Sequence, residues 1–323
     1  MPSLVEQMAF TGSTPWHRLG TPVDHVMTAQ EAITLGGLDW SVLAEPVFTA
    51  NKTEVPGLRV TVRQDRGEIL GIVSDRYRVL QNNRAFGFFD RIVDEGEAIY
   101  HTVGSLDRGK RIWLLAQLPG YIEPLPGDLV QKFLLLANSH DGSLAVRIGF
   151  TPVRVVCQNT LSLALRDLAN SYTIRHRGAN FSARLDDAVN ALGLARKWYD
   201  QAGDLWQTLA QRQTGSKGID RYLEQVFPLP KKPEGILEIL AWEQARDRML
   251  VTRQTAQRFL EEGRGSSIPG VRGSLWGTVN AVCEWADHVF RGSDQRHLNS
   301  IWFGERAKFK EKAFATILEM AKN

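Results

Sequence analysis

The stretch "GLRVTVRQDRGEILGIVSDRYRVL" (residues 57–80) contains the strongest β-strand signals of the N-terminal half. Two runs rich in Val, Ile and Leu flank the turn "QDRG", and this arrangement predicts a β-hairpin. The preceding "LDWSVLAEPVFT" (38–49) alternates in part between apolar and polar residues, as a strand does. The following "NNRAFGFFDRIVDEG" predicts a short amphipathic helix with Asn82 or Asn83 as its cap. Residues 38–95 therefore predict the order strand, strand, strand, helix.

The remainder of the first half is also rich in β-strand signals. Thr28 and Glu31 occupy capping-box positions and predict one short helix near the start. The turn pair Asp141-Gly142 predicts that the strands on either side of it form a hairpin. Further strands are predicted at 97–103, 110–117, 130–138 and 143–149.

From about residue 180 the pattern becomes helical, because apolar residues recur at three- and four-residue spacing. The predicted fold class is α+β: an N-terminal antiparallel or mixed sheet body with a strand-strand-strand-helix core, followed by a mainly helical C-terminal region. The predicted domains are 1–178 and 179–323. The linker signals between them are weak, so the sequence leaves open whether the two pack as one unit.

Composition limits the class of protein. The 323 residues are 43% apolar and carry a net charge of +3, so a folded core is expected and a nucleic-acid partner is compatible but not indicated. Cys157 and Cys283 are far apart and match no metal-binding spacing, which favours a reducing compartment. The first residues lack the features of a signal peptide, and no apolar run is long enough to span a bilayer. We therefore expect a soluble, cytoplasmic protein with no membrane partner.

The distribution of charge is more informative than its total. Between residues 145 and 184 there are six arginines and one acid, Asp167. Basic groups interleaved with aromatic rings suit single-stranded nucleic acid, since the charges contact phosphates and the rings stack on bases. The alternative is that arginines on half-buried strands extend to solvent or pair with acids. The candidate nucleic-acid-binding residues fall in three clusters plus one arginine: Arg76, Tyr77 and Arg78; Lys110, Arg111 and Trp113; Arg175, His176 and Arg177; and Arg154.

Arg154 belongs to "FTPVRVVCQNTLSLALRDL" (150–168), which predicts a strand followed by a helix. Cys157 could be a nucleophile only with a nearby group that lowers its pKa, and a small buried apolar role is the commoner one. Asn159 is predicted to cap a helix that begins at Thr160, and a helix start near Arg154 could also hold a phosphate. The stretch is interpreted as a structural junction with a possible anion site.

The stretch "NAVCEWADHVF" (280–290) places Glu284, Asp287 and His288 on one stripe of a predicted helix. These residues are weak candidates for a metal site or acid–base chemistry. The spacing is not that of a zinc helix, and helix pairing or buried hydrogen bonding is the alternative. No nucleotide-binding, hydrolase or paired-cysteine motif is found, so no cofactor and no catalytic residue is predicted.

Seven stretches, taken together and in order, resemble the phage/plasmid-like proteins grouped as domain of unknown function 932. They are "PWHRLG", "LDWSV", "SDRYRVLQN", "RIWLLAQLPG", "TPVRVVCQNTLSLAL", "IRHRG" and "NAVCEWADH". The resemblance implies a mobile-element protein of the bacterial cytoplasm and supplies no catalytic residue.

The strand-strand-strand-helix order is also similar, at the level of fold, to the core of phage single-strand annealing proteins. That similarity implies a ring- or filament-forming protein that holds single-stranded DNA by its backbone. The leading expectation is a single-stranded DNA binding or annealing protein that forms homo-oligomers. The alternatives are a metal-dependent enzyme acting on nucleic acid or nucleotides, and a phage protein that binds a phage or host protein, for example in counter-defence.

Overall fold

The computed structural model divides the chain into two compact units. Unit 1 contains residues 1–120, 132–151 and 169–198, and unit 2 contains the intervening segments and residues 199–323. The domain boundary predicted after residue 178 stays a prediction. The residues that the structure describes are 5–11, 21–87, 98–154, 159–160, 171–178, 180–181, 183–184, 193–290, 296–297, 300–301 and 304–322.

A three-stranded antiparallel sheet forms in unit 1 where the hairpin was predicted. Its strands are β3 (Val42–Phe48), β4 (Glu54–Arg63) and β5 (Glu68–Ser74), in the spatial order β3-β4-β5. The β4–β5 turn closes with a hydrogen bond from Gly67 N to Arg63 O, and Gly67 has a positive φ of 66°. Helical residues 82–87 follow, so the predicted order of three strands and a helix is confirmed.

A larger mixed sheet contains the other strands: β1 (Val5–Thr11), β2 (Thr21–Val23), β6 (Ile99–Leu106), β7 (Arg111–Leu125), β8 (Asp128–Ser139), β9 (Val146–Phe150), β10 (Val153–Arg154), β11 (Asn159–Thr160) and β12 (Ser171–Ile174). Their spatial order is β11-β10-β8-β7-β6-β1-β2, with β9 pairing both β8 and β12. The β1–β2 pair is parallel, and the other pairs among the described strands of this sheet are antiparallel.

Local sequence signals account for several of these elements. Helix α1 (Ala29–Leu35) begins with the predicted capping box, in which Thr28 accepts from Glu31 N while the Glu31 carboxylate accepts from Thr28 N. Strands β8 and β9 pair antiparallel on either side of the Asp141-Gly142 turn, which confirms that hairpin. One prediction is wrong: Thr160 does not begin a helix, because it pairs with Val153 as part of β11.

The core of unit 1 includes strand β7, part of which is covered on both faces. Ile112–Ala116 of β7 are five consecutive buried residues, so neither face of that strand is open to water. Trp40, Tyr100 and Leu134 belong to the same apolar cluster. Burial on both faces removes the apolar–polar alternation that otherwise tells a strand's inner side from its outer side.

Unit 2 contains most of the helices, so the α+β class with mainly C-terminal helices is confirmed. Helix α5 is central, because all of its residues from Leu275 to Asp287 are buried. Its start is capped by Ser274, whose hydroxyl accepts from Gly277 N, and Cys283 on it is fully buried. The helices from residue 193 onward include α2 (Gly193–Gln211), which begins in unit 1, α3 (Ser216–Val226), α4 (Ile239–Glu262), α5 (Leu275–His288) and α6 (Glu305–Lys322).

Among the described residues, no helix combines the length and the apolar character needed to cross a membrane.

Candidate functional site

Two of the three basic clusters lie side by side in unit 1. The backbone N–H of Arg78 donates to the carbonyl of His176 at 2.9 Å, and Nδ1 of His176 donates to the carbonyl of Arg78 at 2.7 Å. This double link joins segments that are about one hundred residues apart in sequence. It brings together four exposed arginines, which we call the arginine face: Arg76, Arg78, Arg175 and Arg177.

The guanidinium groups of the arginine face form no salt bridges with the described acidic residues. Among the residues that the structure describes, none of the four has a side-chain hydrogen bond or ion pair. Exposed arginines paired with carboxylates would be neutralised locally, whereas these keep their charge and their donors available for an anion. The alternative that these arginines pair with acids is therefore not supported for these four residues, while their exposure agrees with the other part of that alternative, extension to solvent.

An aromatic stack supports the arginine face from within. Tyr77 and His176 stack with ring centroids 4.5 Å apart. Phe181 also stacks on His176, with ring centroids 5.5 Å apart. The Tyr77 hydroxyl donates to the carbonyl of Ser139 at 2.6 Å, which fixes the ring. Burial lowers the pKa of His176, and the hydrogen bond to the Arg78 carbonyl opposes that shift. His176 is therefore uncharged at neutral pH and holds the two basic segments in place.

A pocket of about 410 Å³ opens between these residues and the β8–β9 turn, and we call it the Tyr77 pocket. Arg175 and Arg177 line it together with Tyr77, His176 and Asp141. Asp141 is half-buried, and its Oδ1 accepts a hydrogen bond from Ser143 N at 2.9 Å. The pocket therefore combines two cations, one carboxylate and an aromatic wall.

The turn that contains Asp141 packs so closely against β5 that a side chain at Gly71 would not fit. A Cβ atom on Gly71 would lie 2.7 Å from Cα of Asp141, which is closer than non-bonded atoms approach. Gly142 has a φ of +75°, and a Cβ on it would lie 3.2 Å from Val73. The two glycines thus permit the close approach that forms one side of the Tyr77 pocket.

Lys110 of the remaining basic cluster lines a second pocket, of about 770 Å³, which also includes Asp141. Its cations are Arg108 and Lys110, and its acids are Glu68, Asp107 and Asp141. The acids outnumber the cations, so this pocket favours anions less than the arginine face does. The Arg111 guanidinium, close by, donates to the Ser143 hydroxyl at 3.1 and 3.3 Å.

The predicted stacking residues are mostly not accessible. Trp113 is 1% exposed and His176 is 6% exposed, so neither ring can receive a base in this structure. Tyr77 is half-buried, with one face against His176. Sequence periodicity could not reveal this, because β7 is buried on both faces. The side chains of Arg154 and Cys157 lie outside the described residues.

The stripe on α5 is occupied by structural contacts. Oδ1 of Asp287 pairs with Nζ of Lys310 at 2.8 Å, and both side chains are fully buried. Both carboxylate oxygens of Glu284 accept from Arg264 N, at 3.0 and 3.1 Å. No group of three or more potential ligands close enough to hold a metal ion occurs among the described residues. These contacts match the alternative of helix pairing and buried hydrogen bonding.

Sequence reasoning missed Asp141 as a member of the site. The residue was recognised only as half of a turn pair, and a turn signal carries no information about the side chains that the turn approaches. Ile69 and Ile72 on β5 were also missed; they are 66% and 62% exposed and border the two pockets.

The family model for a domain of unknown function (DUF932) matches residues 69–310. The chain belongs to this family. The match includes the arginine face, the Tyr77 pocket and helix α5. Searches of curated proteins and of solved structures found no match.

Proposed function

We propose that this DUF932 protein binds single-stranded DNA through the arginine face, as an annealing or strand-protecting factor of a phage or plasmid in the bacterial cytoplasm. The observation that carries the proposal is the group of four exposed, uncommitted guanidinium groups contributed by two segments distant in sequence. Arginine on a rigid backbone is well suited to phosphate, because its planar donors match phosphate oxygens.

The proposed binding mode differs from the predicted one in how bases are contacted. With Trp113 and His176 buried, bases are not held by aromatic stacking at those positions. The exposed aliphatic side chains of Ile69 and Ile72, next to the cations, supply the apolar surface that unpaired bases require. Binding then depends mainly on phosphate contacts, which makes it strongly dependent on salt and weakly dependent on sequence.

The test is fluorescence anisotropy of the full chain with labelled single- and double-stranded 20-mers over a salt series. Binding to single strands is expected to weaken with salt, with a log–log slope of about −0.7 for each phosphate contacted. The double variant Arg175→Glu/Arg177→Glu should lower affinity about tenfold or more and reduce the slope by about 1.4, since two contacts are lost.

The charge-matched control is Arg221→Glu/Arg248→Glu, which alters exposed arginines on α3 and α4 by the same total charge. Equal losses in the two double variants would mean that net charge alone governs binding, which contradicts a defined site. An absence of binding to any oligonucleotide at low salt would refute the proposed function.

A role in protein binding, including self-association, is a second candidate with its own observation. Ile236, Leu237 and Leu240, at the start of α4, are 84%, 98% and 66% exposed. Neighbouring large apolar side chains with that exposure are typical of interaction surfaces. We expect Leu237→Glu/Leu240→Glu to reduce the sedimentation coefficient of a homo-oligomer; an unchanged coefficient would exclude these residues from its interface.

A further inference from the structure

We propose that the Tyr77 pocket receives a single base of the bound strand and that Asp141 selects bases carrying an exocyclic amino group. This inference rests on the proposed function, because the arginine face supplies the phosphate contacts that deliver the base. Its own basis is that Asp141 is the one acidic residue lining a pocket whose other charged lining residues are the cations Arg175 and Arg177.

The size and walls of the pocket suit a base. Its volume of about 410 Å³ falls within the range of roughly 300–1,000 Å³ found for small-ligand sites. The rim carries Arg175 and Arg177, both exposed, while Leu144 and Ala145 give the interior an apolar wall. A nucleotide has the complementary distribution, with an anionic phosphate outside and a flat, largely apolar ring inside.

The carboxylate of Asp141 is the selective element. Within the described part of the chain, its one hydrogen bond is accepted from Ser143 N by Oδ1, so Oδ2 keeps its full capacity to accept. The bond to Ser143 also fixes the direction of the side chain. A carboxylate accepts from the N4 amino group of cytosine and is repelled by the carbonyl oxygen that uracil presents at the same position.

The remaining wall is rigid. Tyr77 is held by its stack on His176 and its hydrogen bond to Ser139 O, and Gly71 and Gly142 let the Asp141 turn approach β5 without a side chain between them. A pocket whose walls are already fixed before binding can distinguish two bases of equal size by one polar group.

The experiment compares oligo-dC with oligo-dU of the same length, because the two bases differ at C4 by an amino group against a carbonyl. Wild-type protein is expected to bind oligo-dC about tenfold more tightly at neutral pH, within the range for one directed polar contact to a base. The variant Asp141→Asn should bring the two affinities to within about twofold, because an amide presents both a donor and an acceptor.

The matched control is Asp75→Asn, which removes one exposed carboxylate beside the same basic segment but outside the pocket. Asp75→Asn should keep the tenfold preference. A second variant, Ala145→Leu, should lower affinity for oligo-dC more than for oligo-dU by filling the pocket, while circular dichroism verifies its fold.

The outcomes separate this inference from the proposed function. If wild-type protein binds both oligonucleotides equally, and Arg175→Glu/Arg177→Glu still weakens both, the base pocket is refuted and the arginine face stands. A preference for oligo-dC that Asp141→Asn leaves intact likewise overturns the role of Asp141. If neither oligonucleotide binds, the proposed function fails and the inference fails with it.

Discussion

Acidification from pH 7 to pH 5 should destabilise unit 1, because that unit contains buried, neutral histidines. Burial lowers the pKa of His101 to about 4 and that of His140 to about 3, compared with about 6.5 in an unfolded chain. Burial also lowers the pKa of His176. Since these folded-state values are depressed, the unfolded chain takes up protons first as the pH falls below 6.5.

The size of the effect follows from the interval between the unfolded pKa and the final pH. At pH 5 the unfolded forms of His101 and His140 are protonated while the folded forms are not, and the interval is about 1.5 units. At about 1.36 kcal/mol per unit, each histidine removes about 2 kcal/mol from the free energy of unfolding, and the pair removes about 4 kcal/mol. The loss begins near pH 6.5 and is complete only below the folded pKa values.

Urea unfolding at pH 7, 6 and 5, followed by tryptophan fluorescence, measures the change. Hydrogen exchange in peptides from β6 and β8 shows whether the loss of stability occurs at these histidines, because β6 contains His101 and β8 ends directly before His140. His101→Gln and His140→Gln should each reduce the acid-induced loss by about 2 kcal/mol, since glutamine does not titrate.

His25→Gln is the control, because His25 is exposed and its pKa is raised by hydrogen bonds to Asp24 and Glu31. A raised pKa stabilises the protein at low pH, so this variant should not reduce the acid-induced loss. An equal free energy of unfolding at pH 7 and pH 5 in the wild-type protein would refute the reasoning.

Two other substitutions test buried contacts, one in each unit. Asp287→Asn removes the carboxylate that pairs with the buried Lys310 and should lower the free energy of unfolding of unit 2 by roughly 3–5 kcal/mol, measured by denaturant unfolding. A change below about 0.5 kcal/mol would contradict a buried ion pair. Gly109→Ala places a Cβ 2.7 Å from the Trp40 ring at a φ of +90° and should cost about 2–4 kcal/mol in urea unfolding. Gly57→Ala, at a φ of +78° with open space around the Cβ, should cost only the backbone strain. Equal losses in the free energy of unfolding for Gly109→Ala and Gly57→Ala would contradict a clash between the Cβ and the Trp40 ring.

Elements encoded by neighbouring residues could be predicted from the sequence. The capping box of α1 and the hairpins at "QDRG" and Asp141-Gly142 each depend on residues a few positions apart, and the structure contains all three. The class of the fold followed from these signals and from the change to helical periodicity. The family was likewise recognisable from the ordered set of short motifs.

The arrangement of the site depends on contacts between residues distant in sequence, which local patterns do not contain. Nothing near Arg78 indicates that its backbone pairs with His176, and nothing near Asp141 indicates that this residue lines the same pocket. Trp113 was misjudged for a related reason. A strand covered on both faces looks the same in sequence whether a given ring points toward a partner or into the core.

The burial of Cys283 in α5 makes its thiol a probe of how often the helical unit opens. A thiol-specific reagent cannot reach that sulfur while α5 keeps its neighbours, so the rate of modification reports how often the helical unit opens. After Cys157→Ser, Cys283 is the single remaining thiol of the chain. Comparing its rate of modification with and without an oligonucleotide would reveal whether a ligand bound to the sheet-bearing unit also slows the opening of the helices.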